Sequence, residues 1–211
     1  EKGQYRVGDD PISTKCKLCK PGFAQTQRAQ QSCLPCIPGS KASGHGNAEC
    51  IRCGVNEFAS EPSSTVCLVC APGRTTAAEG SVACSSCGAG RYRQGATNGD
   101  EYSCPDCPPG RVSGKAGSTT CTACGLGFFQ TQPGAASCEP CPAGRWGNAT
   151  GASGMASSCI TCDKGRYSTA SQGALSPDTC TLCAPGKFSD LVGASKPSTC
   201  QLCGAGQGSQ A

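Results

Sequence analysis

Every cysteine in this chain belongs to a Cys-x-x-Cys pair, and the pairs recur along the whole sequence. The 22 cysteines stand at positions 16, 19, 33, 36, 50, 53, 67, 70, 84, 87, 104, 107, 121, 124, 138, 141, 159, 162, 180, 183, 200 and 203. Measured between the first cysteines of successive pairs, the spacing is 17 four times, then 20, 17, 17, 21, 21 and 20. Self-similarity at a near-fixed period marks a tandem array. Units this short cannot bury a face of their own, so they must be stapled or stacked. Composition points the same way: Leu, Ile, Val and Phe make up only 24 of 211 residues, well under the ~20 % that signals a missing conventional core. Charge does not account for this, because charged residues are only 15 %.

These features exclude several classes. No apolar run is long enough to span a membrane, and no basic-then-apolar leader opens the chain. The net charge of +4 is mild and scattered, which argues against a nucleic-acid partner. His45 is the one histidine, no nucleophile context accompanies it, and no phosphate loop or dinucleotide motif is present. No enzyme activity and no cofactor are expected. The acidic pairs Asp9-Asp10 and Asp100-Glu101 read as solvated loops rather than calcium ligands.

The repeat extends beyond cysteine. Three residues after the second cysteine of each pair stands Gly22, Gly39, Asn56, Gly73, Gly90, Gly110, Gly127, Gly144, Gly165, Gly186 or Gly206. Gly and Asn are the residues that best tolerate positive φ, so a tight left-handed turn is predicted. Pro21, Pro38, Pro72, Pro109 and Pro185 precede it and preset the earlier turn position. Two residues past the glycine comes Phe58, Tyr92, Phe129, Trp146, Tyr167 or Phe188. This aromatic is expected to pack against its own module's disulfide. Phe23 comes one place early, and Lys41, Thr75 and Val112 replace the aromatic. Between glycine and aromatic position stands Arg74, Arg91, Arg111, Arg145, Arg166 or Lys187. It reads as a solvated outer face, or as a basic row able to meet acidic glycans or a neighbouring chain.

Three readings of the cysteines compete. Redox centres of the Cys-x-x-Cys type would share intervening residues and a strand–helix context, and neither is found. Four-thiolate zinc sites would divide eleven pairs with a remainder. A disulfide ladder accounts for the length variation: separation inside each pair is constant, while the gap to the next pair is 14, 17 or 18, as expected of loops closed at the base and variable at the tip. That pattern predicts Cys19–Cys33, Cys36–Cys50, Cys53–Cys67, Cys70–Cys84, Cys87–Cys104, Cys107–Cys121, Cys124–Cys138, Cys141–Cys159, Cys162–Cys180 and Cys183–Cys200. It leaves Cys16 and Cys203 unpaired within the chain. Gly3-Gln4-Tyr5 repeats the turn signature before Cys16, and Cys203-Gly204-Ala205-Gly206 opens a further module. Both ends are therefore expected to fall mid-module, with further repeats of the same chain beyond them. The expected division is a partial repeat over 1–16, repeats mostly of period 17 over 17–103, repeats of period 17 to 21 over 104–200, and a partial repeat over 201–211.

The predicted fold class is small and disulfide-rich: an elongated tandem array of modules with short β-hairpins and almost no helix. Hairpin strands are expected after the glycine, as in Gly90-Arg91-Tyr92-Arg93, and before the first cysteine, as in Ser118-Thr119-Thr120-Cys121. Thr97-Asn98-Gly99-Asp100 reads as a loop tip. Each module should touch mainly its neighbours. Asn148-Ala149-Thr150 is an N-glycosylation sequon, and Ser and Thr near Pro62 and Pro197 permit O-glycans.

As it stands, Cys-x-Pro-Gly-x-aromatic…Ser/Thr-Cys-x-x-Cys resembles the ephrin-receptor-like cysteine-rich repeats of extracellular proteins. It is clearest in Cys141-Pro142-Ala143-Gly144-Arg145-Trp146 and Cys183-Ala184-Pro185-Gly186-Lys187-Phe188. It is also similar to the simplest TNF-receptor module and to arrays in ciliate surface antigens. The resemblance implies an extracellular stalk, coat or adhesive array and supplies no ligand. A structural segment of an extracellular filament, surface coat or stalk is the leading expectation, with copies of itself and glycans as partners. A ligand-binding receptor ectodomain is the alternative, and a zinc array the minor one.

Overall fold

A computed structural model describes residues 1–9, 11, 13, 15–95, 104–170 and 173–207. Asp10, the predicted tip at 97–100 and the pair Asp100-Glu101 lie outside the described residues. The chain forms two compact units: Glu1–Cys87 with Arg93–Cys104, and Gly88–Tyr92 with Pro105–Ala211.

Each unit is built from two-stranded antiparallel hairpins of two residues per strand, ten among the described residues. The first strand follows the turn glycine, as predicted. The second does not precede the pair; it is the pair's own two intervening residues. Thus Arg111 and Val112 face Ala123 and Thr122, whereas Ser118 to Thr120 form no strand and Ser118 Oγ donates to the Lys115 carbonyl at 2.7 Å. The disulfide supplies the reason. Closing Cys107 onto Cys121 carries the two residues after Cys121 alongside the turn.

Proline placement fits this register. Pro35 and Pro140 pair with Phe23 and Phe128, at the non-hydrogen-bonded site where no N–H is needed. Pro105 occupies the hydrogen-bonded site instead and can only accept, from the Tyr92 N–H at 3.1 Å. There the hairpin shrinks to a single bridge, Arg91–Asp106, because proline removes one ladder bond.

Among the described residues, helix is confined to Met155–Ser158 and the 3-10 turns Pro177–Thr179 and Pro197–Thr199. All three sit just before the closing cysteine of loops with separations of 18, 18 and 17. In these three modules the extra residues are absorbed there. Proline opens both 3-10 turns, and Ser176 caps the first by accepting from the Asp178 N–H, as caps do at helix starts.

The buried apolar residues are cysteine and alanine, with Phe129 as the one large side chain among the described residues. Sulfur is the core. The opening cysteines Cys19, Cys36, Cys53, Cys107 and Cys141 are each 0 % exposed.

Candidate functional site

The repeating functional element is the seam between modules, and backbone groups build it. The N–H of a turn glycine donates to the carbonyl three residues past the turn of the next module, as in Gly39 to Ala59 at 2.8 Å and Gly110 to Gln130 at 2.8 Å. That third residue donates onward to the following loop: Ala42 to Ser64 at 3.1 Å and Gln130 to Ala152 at 3.0 Å. The loop tip returns a bond to the preceding opening cysteine, as in Gly80 to Cys53 and Gly151 to Cys124, both 2.7 Å.

The seam reaches one module further than expected. A Cβ on Gly39 would overlap the backbone carbonyl of Gly80, two modules on. The same holds for Gly110 against Gly151 and Gly144 against Gly193. Only a residue without a side chain lets two backbones approach this closely. All the repeat glycines from Gly3 to Gly206 have positive φ, and Asn56 takes φ 64°. A second left-handed site lies at the loop tips. Gly46, Gly80, Gly134, Gly151 and Gly193 occupy it, with Ala29 and Ser63 in two modules.

The cysteines are joined as Cys19–Cys33, Cys36–Cys50, Cys53–Cys67, Cys70–Cys84, Cys87–Cys104, Cys107–Cys121, Cys124–Cys138, Cys141–Cys159, Cys162–Cys180 and Cys183–Cys200, with Cα–Cα separations of 5.6–5.8 Å. That distance is ordinary for a bridge. Cys16 is free and exposed, and Cys203 is free and partly covered. Asn148 and His45 are exposed.

A family model described as tyrosine-protein kinase ephrin type A/B receptor-like matches residues 39–83 and 110–157. These segments are ephrin-receptor-like repeats. One lies in each compact unit. No curated protein matches the chain. Ephrin-receptor-like repeats held by disulfides make this an extracellular cysteine-rich repeat protein, since such bridges persist in oxidising compartments. No helix among the described residues is long and apolar enough to cross a membrane.

Two positions of the repeat make contacts that the sequence reading did not give. Phe129, the aromatic of the loop closed by Cys124 and Cys138, clusters with Ala152 and with Cys141 and Cys159, the bridge of the next module. A parallel bridge between Phe129 and Ala152 carries the ring forward. Tyr92, Trp146, Tyr167 and Phe188 remain half-buried. The basic row keeps its outer face, with Arg74, Arg91, Arg111 and Lys187 exposed, and four of its arginines also clasp their own modules. Arg74, Arg111, Arg145 and Arg166 donate from Nη1 to the carbonyls of the closing cysteines Cys84, Cys121, Cys159 and Cys180, at 3.4, 3.2, 2.9 and 2.8 Å. Arg91 instead pairs with Asp106 at 2.8 Å.

The sequence reading missed the inward residue. It lies three places past the turn glycine, where Gln25, Ala42, Ala59, Thr76, Arg93, Ser113, Gln130, Ser168 and Ser189 are all buried. No hydropathy signal marks it, because its recurring task is a pair of backbone bonds. Its side chains serve their own loops where they can: Gln25 Nε2 donates to Ser32 O at 2.7 Å and Gln130 Nε2 to Ser137 O at 2.8 Å.

Asn56 shows how the seam tolerates a departure. Its N–H donates to Thr76 Oγ1 at 2.7 Å, and its Oδ1 accepts from Thr75 Oγ1 at 2.7 Å. The module that follows the asparagine turn thus supplies hydroxyls where the other seams use a carbonyl. Thr76→Val removes the acceptor of a buried N–H and is expected to cost about 1–3 kcal/mol. Native-state hydrogen exchange at Asn56 reads this directly, and unchanged protection there would refute the assignment.

Proposed function

We propose that this chain is a structural segment of an extracellular filament, surface coat or stalk, stiffened by its disulfide ladder. The observation that supports this reading is repetition without a specialised module. A backbone seam recurs along each unit, with a threonine hydroxyl in place of one carbonyl after Asn56, and loop separations vary only between 14 and 18. A binding specialist would enlarge one loop, since recognition is carried by loops on a fixed scaffold. The modules instead invest in each other. The partners on this reading are further modules and copies of the same chain.

Electron microscopy of native material tests it. Ordered fibres or a regular layer are expected; isolated monomers at every concentration would overturn the proposal. A non-reducing disulfide map by mass spectrometry tests the ladder beneath it, and free thiols with bound metal would favour the zinc alternative.

A receptor ectodomain is the second reading, and one observation favours it. Leu34, Ile51 and Leu68 hold the same register in three consecutive modules and are 62, 58 and 55 % exposed. An aliphatic row left open in this way suits a contact surface. A transmembrane helix and a cytoplasmic signalling domain in the full-length sequence would support this reading over the filament.

A further inference from the structure

Trp146-Gly147-Asn148-Ala149-Thr150 places the one tryptophan of the chain two residues before its one sequon asparagine. Backbone alternation gives that spacing a meaning. Trp146 ends the strand Arg145–Trp146 and is half-buried. Gly147 is buried, and its N–H donates to the Ala174 carbonyl at 2.9 Å. Asn148, Ala149 and Thr150 are exposed and lie outside helix and strand. Side chains two apart on an extended chain share one side, and burial alternates in that sense here: Trp146 is half-buried, Gly147 buried and Asn148 exposed. The equivalent positions Thr131, Thr169 and Asp190 in neighbouring modules are exposed too. A large substituent at 148 therefore meets no inward-facing part of the seam. Trp146 also borders a shallow groove with Ile160, Thr161, Asp163 and Arg166, which offers an apolar ring face beside polar groups.

We propose that Asn148 is an N-glycosylation acceptor whose first sugar lies against the ring of Trp146. The donor is a lipid-linked oligosaccharide diphosphate of the secretory pathway. A bond forms between Asn148 Nδ2 and the anomeric carbon, the anomeric C–O bond to diphosphate breaks, the lipid diphosphate leaves, and the amide gives up one proton to base. Thr150 completes the acceptor sequence. Pyranose C–H groups stack on an aromatic face while the hydroxyls keep their water or reach polar neighbours, as suits a large amphipathic side chain. The proposal rests on the extracellular assignment and is independent of the filament reading.

The test uses the full chain secreted from a eukaryotic cell, with its disulfides mapped in the same sample. A glycopeptide spanning Asn148 is expected, lost in N148Q and in T150A. Because Trp146 is the one tryptophan, emission excited at the red edge, where tyrosine does not absorb, reports on this site alone. Enzymatic removal of the glycan is expected to shift emission to the red and to raise acrylamide quenching to the level of N148Q. An unmodified Asn148 in a fully bridged chain overturns the proposal alone. A glycan whose removal leaves emission and quenching unchanged overturns the contact with Trp146. Free thiols at the ladder cysteines overturn the extracellular assignment and the proposal with it.

Discussion

Gly39→Ala is expected to cost about 3–5 kcal/mol of local stability, while Gly80→Ala costs only about 1–2 kcal/mol. Both glycines are left-handed, at φ 83° and 74°, and a Cβ in that region carries a penalty of about 1–2 kcal/mol in either place. The difference lies in what the methyl meets. At Gly39 it meets the backbone carbonyl of Gly80, whereas at Gly80 the nearest atom is the flexible Arg52 side chain at 3.6 Å. A backbone carbonyl cannot rotate aside as a side chain can. Two seam bonds are therefore strained together, Gly39 to Ala59 at 2.8 Å and Gly80 to Cys53 at 2.7 Å, each worth about 1 kcal/mol. Overpacking adds about 1–3 kcal/mol. An array of modules need not unfold in one step, so a single melting temperature is the wrong measure. Native-state hydrogen exchange at Ala59 and Gly80 is the right one. Equal loss of protection in the two variants would show that the two-module reach does not contribute.

Replacing Cys141 and Cys159 together by alanine is expected to cost about 3–4 kcal/mol. The bridge closes a loop of separation 18, and constraint of the unfolded chain over a loop near that length is worth about 3 kcal/mol. The bridge is also core. Cys141 and Cys159 are 0 and 1 % exposed and are packed by Phe129 of the preceding module. Lost contact with that ring adds about 1 kcal/mol, in line with the cost of small cavities. The damage should cross a module boundary, loosening the loop closed by Cys124 and Cys138 as well as its own. Limited proteolysis with peptide mapping checks this: new cleavage is expected in 142–158 and, more weakly, in 125–137. Cleavage confined to the first segment would sink the claim that the aromatic couples neighbours.

The two residues between each cysteine pair explain why the second hairpin strand was misplaced by sequence. Leu68-Val69, Ser85-Ser86 and Glu139-Pro140 share no composition, so no strand propensity distinguishes them from the Ser/Thr run before the pair. They become strands because the bridge delivers them to the turn, and the exposed side chains there are free to vary. The three-past-glycine position was hidden for a related reason. Ala59, Gln130 and Arg93 are all buried there, because the site asks for a backbone donor and acceptor and accepts side chains of different kinds: Gln130 bonds within its own loop, and Arg93 donates from Nη1 to the Arg74 carbonyl of the preceding loop.

The left-handed turn, by contrast, was legible at once. Only glycine or asparagine holds that conformation cheaply, and the demand recurs at a fixed offset from cysteine. The clasp by Arg145 and Arg166 was half legible: the basic residue was visible, but its partner is a main-chain carbonyl, which leaves no mark on composition.

Sequence alone determined the module, its period and its left-handed turn, because each depends on constraints within a single module that particular residue types must satisfy. Tertiary structure decided how modules join: which residue faces inward, which bridge the aromatic meets, and how far a turn reaches. Those contacts are made mostly by N–H and C=O groups. Every non-proline residue carries both, so a chain can encode such a seam while its side chains say little about it.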